Sequence, residues 1–271
     1  MITQNIIDFL PKIVDEDLKE EEKHWDSYAR RGKASIGVNP YIKNKIYNDY
    51  HAVFHKFITN EWPDFSSRNV TVAEIGCGEG SAIRYLRQVN FAHVDYVGID
   101  LSLVTMAEFK RMSVIPNWNV RFIRASANDR LFSSNTLDMV FSTSALHHLR
   151  VRDVIKWISN SLKPGGLFIL NEPSEINPFA KLGRRLVKDF HTKNERPLNP
   201  RNIESIASEY GLDLRYEKGL HFLSGPMMYC VEILRFPLPF TMLAYSLCKV
   251  LDSIISSPSW NYSFVQAYRR V

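Results

Sequence analysis

Between residues 68 and 172, short apolar runs alternate with amphipathic segments. The runs at 70–75, 94–99, 120–125, 137–142 and 167–171 have the length and β-branched content of buried strands. The segments at 81–89, 103–112 and 151–162 carry apolar residues at helical spacing. Strands alternating with helices predict an α/β fold, a parallel sheet wound by right-handed crossovers. Residues 1–66 read as helical. An acidic run (Asp15, Glu16, Asp17, then Glu20, Glu21, Glu22) precedes His24, Trp25, Asp26 and Tyr28. Ile46, Tyr50, Val53, Phe54, Phe57 and Ile58 then recur at three- and four-residue intervals up to Trp62 and Pro63. After residue 172 the rhythm breaks. A helix over 203–210 ends at Gly211, strands are predicted over 212–223 and 263–270, and a Leu-, Met-, Phe- and Tyr-rich insertion at 225–258 separates them. The expected organisation is a helical cap over 1–66, a core over 67–172 and a C-terminal part over 173–271.

Composition narrows the class. The chain has 271 residues, 45 % hydrophobic and 23 % charged, which is globular usage and excludes disorder for the bulk of it. Cys77, Cys230 and Cys248 are too few for a disulfide scaffold and lack zinc-site spacing. The N-terminus has no basic n-region or long apolar stretch, so it reads as a mature cytoplasmic start. The insertion is interrupted by Pro226, Pro237 and Pro239, so no transmembrane segment is expected. The net charge of +5 is uneven: Lys181, Arg184, Arg185, Lys188, Lys193, Arg196 and Arg201 face only Glu175, Asp189 and Glu195 in 174–201. Such a stretch is either a solvated helix face or an attractor of phosphate, carboxylate or an anionic surface.

The segment EIGCGEG at 74–80 leads from a strand into glycines at alternate positions and then a helix. Glycine lets a ligand approach the backbone, and the helix start offers unpaired N–H groups. Twenty positions after Gly80, Asp100 ends the second strand, where a carboxylate can accept from both hydroxyls of a ribose. Its competing reading is a cap on the following helix. Nicotinamide dinucleotide enzymes prefer a Gly-x-Gly-x-x-Gly spacing, which this loop departs from.

These residues, with GIDLS at 98–102, FIRASANDRLF at 122–132, LDMVFSTSALHHL at 137–149 and LKPGGLFIL at 162–170, resemble the motifs of class I S-adenosylmethionine-dependent methyltransferases. The resemblance implies a Rossmann-like, mostly parallel seven-stranded sheet with helices on both faces, an N-terminal lid and a helical insertion before the last strand. It implies that the backbone at Gly76, Cys77, Gly78 and Gly80 passes under the methionine part of S-adenosylmethionine. Glu74 would fix the loop and the amino group, Asp100 would take the ribose, and Leu101 would pack on the adenine. Where the family places an acidic residue after the third core strand, this chain has Ser126, followed by Ala127 and Asn128. Ser142 and Thr143 would line the cofactor near its methyl group. No metal is expected.

Methyl transfer asks the protein for alignment, exclusion of water and, for a protonated nucleophile, a base. Candidates for the catalytic role are His147, His148 and Glu172, each with a packing alternative; His24, Trp25, Tyr28 and Met228 are candidates for substrate contact. No Asn/Asp-Pro-Pro-aromatic turn follows the fourth core strand, and no cysteine stands where a cytosine-C5 nucleophile belongs. A small-molecule acceptor is therefore expected, lipophilic or aromatic and acid-bearing, with O-methylation as the reaction. A tRNA or rRNA substrate and a non-methylating, cofactor-binding scaffold are the rival readings. Met227, Met228, Tyr229, Phe236, Phe240, Met242 and Tyr245 of the insertion would form either an apolar substrate wall, ordinary core or a homodimer face.

Overall fold

The computed structural model describes residues 6–8, 16–30, 40–78, 80–110, 115–116, 118–186, 195–227, 231, 237–255, 257–258 and 260–271. Its centre is an eight-stranded sheet in the order β1-β4-β3-β2-β5-β6-β8-β7. The core strands are β2 (Asn69–Ile75), β3 (His93–Asp100), β4 (Trp118–Arg124), β5 (Leu137–Thr143) and β6 (Leu162–Pro173), all parallel to their neighbours within this set. Strands β7 (Leu212–Leu220) and β8 (Ser263–Arg270) close the far edge, with β8 antiparallel to both β6 and β7. These seven strands match the expected sheet. The eighth, β1 (Ile6–Asp8), adds to the other edge by pairing in parallel with β4, Ile6 opposite Phe122 and Asp8 opposite Arg124. Three residues are too few to carry a period, so β1 was hidden inside a segment that otherwise reads as helical.

Helices α1 (Glu16–Arg30) and α2 (Pro40–Glu61) precede the sheet. Helices α3 (Ser81–Val89), α4 (Leu103–Lys110) and α5 (Val151–Ser161) are its crossovers, and α6 (Pro178–Leu186) and α7 (Pro200–Glu209) follow β6. Helix α8 (Leu238–Ile254) lies in the excursion between β7 and β8. On one face of the sheet, Tyr50, Phe54 and Phe57 of α2 pack with Tyr85 of α3 and Phe141 of β5. On the other, Val154, Trp157 and Ile158 of α5 pack with Phe168 and Ile203. The N-terminal segment therefore divides: α2 is a core helix, whereas α1 reaches over the strand ends.

The KPGG run at 163–166 falls within β6 rather than before it. Leu137 pairs with Leu162 and Met139 already with Leu167, so these four residues loop out of the pairing while the strand continues. Chain order reverses around β2, which sends β3 to one side and β5 to the other. Ligands of open α/β sheets bind in the crevice so formed, at the carboxyl ends of the strands.

Candidate active site

At those strand ends lies a cavity of about 930 Å³. Its wall includes Gly76 and Gly78 after β2, Asp100 and Leu101 after β3, Ser126, Ala127 and Asn128 after β4, and Ser144, Ala145, His147 and His148 after β5. Helix α1 contributes Leu18, Glu21 and Trp25.

The first turn is held from below. Glu74 is fully buried, and its Oε1 accepts from the Ala82 N–H at the start of α3 (3.0 Å). Its Oε2 accepts a very short hydrogen bond from the Tyr96 hydroxyl. Glu74 thus ties strand, loop and helix together from a second layer rather than from the cavity wall. Gly76 has a φ of +60°, and a Cβ there would lie 2.4 Å from the Cβ of Ala145. Only glycine combines that backbone with that approach, and the contact brings the β2 and β5 loops side by side. Cys77 is buried behind the loop, its sulfur against Gly98; burial raises its thiol pKa well above the usual value, so it is a packing residue.

Asp100 makes the helix cap considered for it and also faces the cavity. Its Oδ2 accepts from the Gly78 N–H (2.8 Å) and its Oδ1 from the Ser102 N–H (2.9 Å), so it braces the glycine loop and starts α4. The Leu101 N–H is a third backbone donor to this carboxylate, which lines the cavity. Burial raises its pKa, against the lowering effect of those N–H donors. A ribose diol would supply two more donors to the ionised form. Ser126 Oγ accepts from the Asn128 N–H (3.2 Å), and Asn128 Oδ1 accepts from the Arg150 N–H (2.7 Å). The acidic residue that the β4 end adds to the wall is Asp129, three positions beyond Ser126.

Beyond β5 the arrangement departs from expectation. Ser142 and Thr143 do not line the cavity; Ser144 and Ala145 do. Ser142 donates its hydroxyl to Glu172 Oε1 (3.0 Å). Glu172 is fully buried, does not line the cavity, and is saturated: the same Oε1 accepts from the N–H groups of Ala145 (3.1 Å) and Leu146 (2.9 Å), and Oε2 meets His147 Nδ1 at 2.7 Å. Expected as a catalytic or substrate-touching group, it instead holds the loop and meets His147 Nδ1 from behind the cavity wall. With Nδ1 so engaged, Nε2 is the remaining ring nitrogen of His147. His148 lies beside it, ring centroids 4.1 Å apart, with Nδ1 3.0 Å from Glu21 Oε1.

Helix α1 is anchored to the strand ends by its acidic run. Glu21 accepts from Trp25 Nε1 (2.9 Å) and meets His148, Glu22 pairs with Arg124, and Asp26 accepts from the Ser102 hydroxyl (2.6 Å). Trp25 lines the cavity and meets His148 edge-on at 5.7 Å, whereas His24 stands behind Trp25 at 5.2 Å and is not in the wall. Tyr28 lies on α1, but its side chain is outside the described residues, as is Met228. Of the apolar wall expected from the insertion, Met227 and Tyr245 are core, and Phe240 and Met242 face outward. Tyr229 and Phe236 lie outside the described residues. Among the described residues, His147, His148 and Glu195 could offer donor atoms to a metal, within 4.8 Å of one another. Arg150 and Arg196 also line the cavity.

Residues 73–170, the stretch that builds this wall from β2 to β6, match the family model of a methyltransferase domain. The core of this chain is thus similar to class I S-adenosylmethionine-dependent methyltransferase domains. Among curated proteins, this domain is similar to phosphoethanolamine N-methyltransferase 1 of Triticum aestivum, 27 % identical over 106 residues covering 37 % of this chain and 20 % of that one. It is also similar to O-methyltransferase 3 of Dictyostelium discoideum, 24 % identical over 192 residues covering 66 % of this chain and 41 % of that one. The chain thus spans well under half the length of these relatives. The fold is shared with a geranyl diphosphate C-methyltransferase from Streptomyces coelicolor A3(2), crystallised with Mg²⁺, geranyl-S-thiolodiphosphate and S-adenosyl-L-homocysteine. The TM-score is 0.62 at 13 % identity, over 96 % of this chain and all of that one. None of the described helices of the methyltransferase domain or its flanks is long and apolar enough to cross a membrane.

Proposed function

We propose that this protein transfers the methyl group of S-adenosylmethionine to an oxygen of a small, acid-bearing lipophilic acceptor, with His147 as the base. The observation that carries the reading is the Glu172–His147 pair: a buried carboxylate holds Nδ1 at 2.7 Å, and the imidazole lines the cavity shared with Asp100. When bound, the cofactor supplies a sulfonium methyl carbon that is already electrophilic. Asp100 accepts from the ribose hydroxyls, Leu101 packs on the adenine, and Asp129 supplies the carboxylate for the adenine amino group. The loop from Gly76 to Gly80 cradles the methionine portion, with Glu74 holding that loop in place. His147 Nε2 would take the acceptor's hydroxyl proton, and Glu172 would stabilise the imidazolium that results. Trp25 and Leu18 of α1 give the acceptor an apolar roof, and Arg150 and Arg196 give its acidic group a counter-charge.

The test is calorimetric titration with S-adenosylmethionine and S-adenosylhomocysteine, followed by methyl-labelled turnover on a panel of lipophilic hydroxy and carboxylic acids. Asp100→Ala is expected to weaken both sulfur ligands by about tenfold or more, the cost of a lost charge-assisted hydrogen bond. His147→Asn is expected to leave S-adenosylhomocysteine affinity unchanged and to cut turnover by about 10²–10⁴-fold. A folded protein that binds neither sulfur ligand overturns the reading. Binding without turnover on any acceptor class, RNA included, would favour a scaffold.

A further inference from the structure

Helix α8 is built the wrong way round for a helix beside water. Toward the protein it presents Thr241, Tyr245 and Asp252, all buried. Away from it, Phe240, Leu243, Leu247, Val250 and Ile254 recur at three- and four-residue steps, and each is between 60 % and 75 % exposed. A water-facing helix places charged and polar residues on that side, and a contiguous apolar face of this kind marks a surface with a partner.

A second exposed apolar patch accompanies the helix. Asn177 Nδ2 donates to the carbonyls of Phe222 (3.0 Å) and Trp260 (2.8 Å), which ties the start of α6 to the chain before and after α8. Exposed Phe179 and Leu182 of α6 and exposed Trp260 therefore stand at the foot of the excursion that carries α8.

Charge selects the occupant. The outward stripe of α8 carries no charged side chain. The helix's acid, Asp252, is turned inward onto the Leu223 N–H (2.7 Å) and Ser224, and its base, Lys249, is paired with Asp49 at 2.8 Å. Helix α6 has no acidic residue, and it exposes Lys181 and Arg185 beside Phe179 and Leu182. Aliphatic and aromatic side chains bordered by cations, with no anion among them, complement the acyl and phosphate layers of an anionic bilayer. A second copy of the same face would bring cation against cation. The 17 residues of α8 amount to ~25 Å of helix, short of the ~20 apolar residues that cross a bilayer, so the helix fits the plane of the interface.

We propose that α8, with α6 and Trp260, docks this protein onto the surface of an anionic lipid bilayer. The excursion leaves the sheet at Leu220 and returns at Ser263, a residue paired with both Leu220 and Pro173. That is the carboxyl edge of the parallel strands, the edge that carries Asp100 and His147. Docking so placed holds the cavity-bearing edge of the sheet toward the lipid, whatever reaction the cavity performs.

The experiment is flotation of the full chain with vesicles of phosphatidylcholine alone and of phosphatidylcholine with phosphatidylglycerol, alongside light scattering for mass. The wild-type chain is expected to float with the mixed vesicles, and added salt weakens this without abolishing it. The double variant Leu243→Glu/Leu247→Glu is expected to lose vesicle affinity by about tenfold or more, since apolar burial is what it removes. Its circular dichroism and S-adenosylhomocysteine binding should match those of the wild type. Lys181→Glu/Arg185→Glu is expected to lose about tenfold on the mixed vesicles and little on phosphatidylcholine alone. No flotation with either vesicle, or equal flotation by Leu243→Glu/Leu247→Glu, overturns the proposal. A wild-type dimer that this variant dissociates, without vesicle binding by either, would assign the face to a second copy instead.

Discussion

Helices α1 and α8 both depart from the rule that polar residues face water and apolar ones face the protein, and they do so in opposite directions. Helix α1 turns carboxylates inward, and each meets a partner: Glu21 meets His148 and Trp25, Glu22 meets Arg124, Asp26 meets Ser102. Helix α8 turns aliphatic side chains outward, and within the described residues they stay exposed. An inverted face resolved inside the molecule positions something, here the roof of the cavity. An inverted face left open points to a surface completed by another molecule.

The inner footing of α8 is where acid should act most strongly on this contrast. His221 is fully buried between Asp49, Lys249, Ser224 and Asp252, and burial pushes its pKa down to about 4, against the pull of the Asp49 carboxylate. Folded, the imidazole resists protonation down to about 4; unfolded, it protonates below about 6.5. The stability it contributes is therefore complete above pH 6.5 and lost as the pH falls toward 4, by about 3 kcal/mol in all. Denaturant titrations across that range should show the loss, and His221→Gln should flatten it.

The next effect belongs to α1. Glu21→Ala removes the carboxylate that meets both Trp25 and His148, at a cost of about 1–3 kcal/mol of stability. If urea titration shows no change, α1 is not held by its carboxylates and the comparison fails. The smallest expected effect is on the outer face of α8. Leu247→Ser should move stability by no more than about 0.5 kcal/mol, because an exposed leucine contributes little to the fold. A larger loss would mean that this face is covered in the isolated protein.

Local pattern carried much of this structure and failed where the decisive neighbour is distant. The strand-loop-helix around Gly76, Gly78 and Gly80 was legible because its parts are adjacent in the chain, and Asp100 because its spacing from them is set by one βαβ unit. The placement of Glu172 was not. Its donors at Ser142, Ala145, Leu146 and His147 lie 25–30 positions earlier, and nothing near residue 172 signals that a carboxylate there will be saturated. The acidic run at 20–22 gives the same lesson, since a solvated helix and one docked on Arg124 and His148 have the same local sequence. For α8, period and composition were both readable, but which side faces the protein depends on Tyr41 and Asp49 of α2, which meet Tyr245 and Lys249.

The two ends of the excursion that carries α8 meet side by side: Leu220 pairs with Ser263, whose hydroxyl lies 3.0 Å from that of Tyr50 and 3.5 Å from the Leu220 carbonyl. A chain that departs and returns at one point can change length or content at little entropic cost to the sheet it leaves. The segment from His221 to Tyr262 is thus an exchangeable cartridge, constrained by the footing it shares with α2, by Asn177 and by its buried core residues. Transplanted between homologous sheets with both footings matched, it should carry its surface preference along and leave the parallel strands untouched.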